Sequence, residues 1–312
     1  DIHDFGYRGH GFWLQGPGII FTGNVAAGNT GSAFILFAQG LIEGGVRQKF
    51  LAANLPDPSI AGGEAEVSVE SVPMRRFDNN VGYASSTGLA IWYHLRSALG
   101  QQGLFADSTF WNNSHGVSLP YSQQTILRNL TVVRTPSGVS GVDSGIGVSS
   151  NLVTRDITYD NLTVSGHYRG IVVPRRGFAV VVGGNYDNYV DFLVQTGVEA
   201  DRLVLLNGPI RMNRLIMEPY FVPVGSSITH IFLRDRVILN FGPYQNQRVY
   251  YLLQNADAIP FPSAVSPVPA AYVGLTSQQL WDQYGIAVGG TLTPANATSV
   301  PGIVGGLVGP PS

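Results

Sequence analysis

The stretch Asn129-Leu130-Thr131-Val132 returns thirty-two residues later as Asn161-Leu162-Thr163-Val164. Tyr159-Asp160-Asn161 returns twenty-seven residues on as Tyr186-Asp187-Asn188, and Asn24-Val25-Ala26-Ala27-Gly28 has a looser copy in Asn80-Val81-Gly82-Tyr83-Ala84. Units of roughly 20 to 32 residues, each with two or three short strands and tight turns, suit the coils of a parallel β-helix better than the closer strand spacing of a sandwich. The expected fold class is therefore all-β, a right-handed parallel β-helix or β-solenoid.

The apolar runs agree with that reading. Ala33 to Phe37, Gly88 to Tyr93, Thr125 to Val133, Leu152 to Val164, Gly170 to Val173 and Phe178 to Val182 are bounded by Gly, Asn, Ser or Pro and read as strands. Helical patterns are rare between them, so the helical crossovers of an ordinary α/β sheet are missing. Stacked coils place equivalent side chains above one another at about 4.8 Å, so Asn24, Asn80, Asn113, Asn129 and Asn161 are expected to form structural ladders at turns.

Composition excludes several classes. Of 312 residues 44% are hydrophobic and 12% charged, with 39 glycines and 19 prolines, which is no helical bundle and no disordered chain. A formal net charge of −2 gives no overall field to attract nucleic acid, and no apolar run of about 18 residues is present to span a bilayer. With no cysteine there is no disulfide, thiolate zinc site or cysteine nucleophile. The opening Asp1-Ile2-His3-Asp4 carries neither an initiator methionine nor a signal peptide, and reads as the start of a mature product or a fragment lacking an N-terminal domain.

The solenoid is expected over residues 1–256, with a long loop excursion at about 41–73. Residues 257–312 read as a Pro/Gly-rich C-terminal cap and tail with one short helix at about 276–284, N-capped by Thr276 and stopped by Gly285.

Gly9-His10-Gly11-Phe12-Trp13-Leu14, then Asn24-Val25-Ala26-Ala27-Gly28, and later Asn79-Asn80-Val81 with Gly88-Leu89-Ala90-Ile91-Trp92-Tyr93, resemble the parallel β-helix repeats of a secreted family. That family comprises cell-surface hyaluronidases, hyaluronan-binding cell-migration proteins, fibrocystin and their bacterial relatives. The resemblance covers about residues 5–165, and Leu275 to Gly285 is similar to the ends of large bacterial secreted proteins of this kind. It implies an extracellular or cell-surface location and a carbohydrate-facing surface, and it carries over one polar residue, His10, to substrate binding. The residues proposed for hyaluronan cleavage in the family lie in an upstream region that this sequence does not contain.

A glycoside hydrolase needs two carboxyl groups about 5 to 10 Å apart. Asp160 and Asp187 share a place in the Tyr-Asp-Asn repeat, and one rung of separation would suit shared-proton chemistry or a calcium ion, the one cofactor considered. The plainer reading makes both of them solvated turn residues. A uronic-acid lyase needs a base and a cation for the carboxylate, which His167 or Tyr168 and then Arg169, Arg175 and Arg176 would supply within ten residues. Trp13, Trp92 and Trp111 are expected to fill corners of the core rather than to form a sugar platform. The leading expectation is an extracellular module that binds a polysaccharide, an acidic glycan first, with cleavage left open. The alternative is a structural or adhesive solenoid segment of a cell-surface fibre, without catalysis and capable of self-association.

Overall fold

A computed structural model describes residues 9–195, except 17, 39–41, 44–45, 48, 96–101, 136–144 and 151–152, and beyond 195 only strand segments between 201 and 287. The short helix expected at 276–284 and most of the expected cap and tail lie outside the described residues.

The described residues are mostly strands in parallel sheets, with three short 3-10 turns and no α-helix among them. The first sheet has eight strands and includes Phe12–Leu14, Ser32–Phe37, Thr87–Trp92, His115–Ser118, Ile146–Ser149, Arg169–Val172 and Val190–Gln195. A nine-stranded second sheet includes Gly103–Ala106, Gln123–Arg128, Arg155–Asp160 and Arg176–Val182, and an eight-stranded third includes Val25–Ala27, Val81–Tyr83, Thr109–Trp111, Thr131–Val133, Thr163–Ser165 and Asn185–Asp187. From residue 87 to residue 195 the chain visits first, second and third sheet in fixed rotation, and each visit pairs in parallel with the previous one. Among the described residues no sheet closes on itself.

Two long apolar runs prove to be two strands each. Asn129 divides Gln123–Arg128 from Thr131–Val133, and Asn161 divides Arg155–Asp160 from Thr163–Ser165. Both are corners: Gly23, Asn79, Asp107, Asn129, Asn161 and Gly183 occupy equivalent places with φ between 45° and 71°. Asparagine, aspartate and glycine tolerate that left-handed conformation best. The Asn161 side-chain amide donates to Asn129 Oδ1 at 2.9 Å, and Asn129 donates to Asp107 Oδ1 at 2.8 Å. One residue further on, Asn24 donates to Asn80 Oδ1 at 3.1 Å. The expected asparagine ladders are present for Asn24 with Asn80 and Asn129 with Asn161, while Asn113 bonds the Ser85 backbone N–H and the Gly82 carbonyl at another corner.

Between the sheets lies an apolar core built by rungs. Phe34, Leu89, Val117, Val148, Ile171 and Phe192 follow one another up the first sheet, all fully buried. Phe12 stacks on Phe34 at 5.6 Å and Phe21 on Phe77 at 5.8 Å, so like lies over like even for rings. The excursion between Phe37 and Arg76 forms two short antiparallel pairs and a small cluster of Ala52, Ala61, Val67 and Val72.

One column has no room for side chains. An added Cβ on Gly88 would lie 2.6 Å from the Gly116 carbonyl oxygen, one on Gly116 2.5 Å from that of Gly147, one on Gly147 2.6 Å from that of Gly170, and one on Gly170 2.7 Å from that of Asp191. Backbone cannot give way there without breaking the rung. Gly116→Ala is expected to lower stability by about 1–3 kcal/mol, whereas Gly16→Ala, with open space around it, changes little. Thermal denaturation of the two variants checks this; equal melting would show that the column is loose.

Candidate functional site

The cationic constellation read from residues 167–176 is divided by the strand it spans. His167 and Tyr168 occupy the corner entering the first sheet, Arg169 opens the strand Arg169–Val172, and Arg175 and Arg176 follow it, where the chain enters the second sheet. The strand holds the two groups apart, so His167 and Tyr168 do not converge with the Arg doublet.

At the first corner His167 is 3% exposed, and its backbone N–H donates to Asn188 Oδ1 at 3.1 Å. Asn188 in turn donates its backbone N–H to buried Asp191 at 2.7 Å and its amide to the Val164 carbonyl at 2.8 Å. Burial drives the His167 imidazole down to about 4, and Arg134 and His115 add to the shift. Burial and Arg134 lower His115 as well. His167 is thus a neutral, packed side chain near pH 7. Beside it Tyr168 stacks on Tyr189 at 4.9 Å and 12°, and the Arg169 guanidinium carbon sits 5.8 Å from the Tyr168 ring centroid. In such a stack each ring offers a neighbour its face and offers solvent mainly its edge.

At the other end the register places Arg176 directly beside Arg155. Arg155 Nε contacts Asp156 Oδ2 at 3.0 Å, and Asp156 Oδ1 accepts the Phe178 backbone N–H at 3.1 Å. Arg155, Arg175 and Arg176, all partly exposed, are thus brought together by register and sequence, with Asp156 bound to Arg155.

Asp160 and Asp187 are not rung neighbours, which corrects the expectation drawn from the Tyr-Asp-Asn repeat. Asp160 ends a strand of the second sheet beside Val182 and is bound by Arg128 Nε at 2.6 Å. Asp187 is exposed on the third sheet beside Ser165. The repeat misleads because Tyr159 and Tyr186 both fill the core, but from different walls. Neither shared-proton chemistry nor a calcium site draws on this pair. Among the described residues no three His, Cys, Asp or Glu side chains gather as a metal site would need.

His10 stands just before the first strand and its Nδ1 accepts the Ser32 backbone N–H at 2.8 Å, which leaves the neutral ring's hydrogen on Nε2. His94 is packed edge-on against Phe105 at 6.0 Å in the core. The tryptophans are not core corners: Trp13 and Trp111 are 37% and 39% exposed, Trp92 packs with Phe37 on the outer face of the first sheet, and Trp111 stacks on Tyr83 at 4.5 Å.

Sequence reasoning missed Arg134, the cation beside both histidines. Asp191, the carboxylate four residues from Asp187, takes the place of Gly88, Gly116, Gly147 and Gly170 in the aligned strands. Compared with known proteins, the chain matches no family model, no curated protein and no solved structure.

The buried histidine fixes a pH dependence. The unfolded chain binds a proton at His167 below about 6.5, while the folded chain resists until about 4, so stability is lost as pH falls through that window. The loss amounts to on the order of 3 kcal/mol. Melting curves of wild type and His167→Gln between those pH values should converge on acidification as the variant loses less; parallel curves would contradict the buried, neutral assignment.

Proposed function

We propose that the chain is a right-handed parallel β-helix of an extracellular protein, which binds an acidic polysaccharide along its surface without cleaving it. The rotation of strands among three parallel sheets supports the coil, and the family resemblance of residues 5–165 supports the location and the class of ligand. The observation that carries the binding reading is the register pairing of Arg155 with Arg176, next to Arg175 in the chain. Like charges one rung apart repel each other, and a carboxylate or sulfate gripped by two guanidinium groups relieves that repulsion.

Cleavage draws no comparable support. A hydrolase needs its two carboxyl groups a few ångström apart, and Asp160 and Asp187 stand on different sheets. His167, the base considered for a lyase, is enclosed and held away from the Arg doublet. A structural or adhesive fibre segment is the second reading, favoured by the asparagine ladders that link successive rungs.

The joint substitution Arg155→Gln and Arg176→Gln should elute clearly earlier than wild type in a salt gradient on immobilised hyaluronan, while Arg76→Gln, in an exposed ion pair with Asp78, elutes as wild type. Unchanged elution of the double variant would remove the binding reading. Incubation with hyaluronan, pectin or alginate should release neither unsaturated uronides nor new reducing ends; release of either would restore catalysis.

A further inference from the structure

A cavity of about 130 Å³ opens on the outer face of the first sheet, across the strands Ser32–Phe37, Thr87–Trp92 and His115–Ser118. The register explains why it exists. Ser32 pairs with Thr87, and Ile35 with Ala90, which pairs in turn with Ser118, so small side chains form a hollow between larger ones. Ile35 and the Trp92 indole supply apolar walls, and Trp92 is braced by Phe37 at 5.9 Å. Ser32, Thr87, Ser118 and His10 are the polar residues of the lining.

Size and chemistry together restrict the ligand. A closed cavity near 150 Å³ takes up one benzene-sized ring, and this one opens to solvent, so the outer hydroxyl groups of a larger ring can project from it. No carboxylate, guanidinium or ammonium group lines this one among the described residues, so a charged ligand would leave water with no counter-ion to meet it. Hydroxyls on one part of the lining and an indole with an aliphatic chain on another match a ring that has C–H faces and a rim of hydroxyl groups.

We propose that this cavity binds a single uncharged pyranose ring. It lies on the first sheet, whereas Arg155 and Arg176 lie on the second, so it does not rest on the acidic-polysaccharide reading and is tested apart from it.

The test is saturation-transfer NMR on the full chain with D-glucose, D-galactose, D-mannose and N-acetyl-D-glucosamine in turn, and with D-glucuronate as the charged comparison. At least one neutral sugar should receive saturation and glucuronate should not. Ser118→Leu, which fills the hollow, should abolish the signal while leaving melting and hyaluronan retention as in wild type. Thr87→Val, which removes one hydroxyl at constant volume, should weaken binding roughly three- to tenfold. Saturation of no neutral sugar, equal saturation of glucuronate, or a signal that survives Ser118→Leu in a folded protein would overturn the assignment.

Discussion

The structure depends on hydrogen-bonded backbone rungs about 4.8 Å apart, repeated in register up three parallel sheets. At that spacing every inward position must be filled by a side chain that tolerates a near copy of itself above and below. Phenylalanine over phenylalanine and aliphatic over aliphatic satisfy this, and so does glycine where carbonyl groups approach too closely for any Cβ. The same constraint dictates the corners. A left-handed residue in one rung calls for one in the next, and amide side chains there bond to each other up the stack.

A molecule built in this way spends its buried polar groups on structure. Asn80, Ser108, Asn113 and Ser122 are all enclosed and all bonded to backbone groups. His167 belongs with them, since its corner is tied through Asn188 to Asp191. What remains for recognition lies outside the core: arginines brought together by register, stacked aromatic edges, and the hollow lined by hydroxyls beside Trp92. Both proposed binding surfaces come from the pairing of residues distant in sequence.

The parallel strands and the asparagine corners were legible in the sequence because Asn-Leu-Thr-Val repeats mark true rung neighbours: Thr131 pairs with Thr163 and Val132 with Val164. Val25 and Val81 likewise pair as their copied motifs indicated. The Tyr-Asp-Asn match failed because composition alone cannot tell which wall an aromatic residue faces. Arg169 and Arg175 are close in sequence, but the strand between them, itself legible as Gly170 to Val173, carries them to opposite ends. The pairing of Arg155 with Arg176 was illegible because a bulge shifts the register between Arg155 and Ile157, so counting residues back from the corner misplaces it.

Cross-linking tests the register most directly, and the absence of native cysteine makes it clean. Thr131→Cys combined with Thr163→Cys puts two thiols on adjacent positions of the third sheet, within the Cα separation a disulfide tolerates. Asp160→Cys combined with Asp187→Cys puts them on different sheets. Mild oxidation should close an intramolecular disulfide in the threonine pair and leave the aspartate pair reduced. A disulfide in the aspartate pair with none in the threonine pair would contradict the stacking on which every other assignment rests.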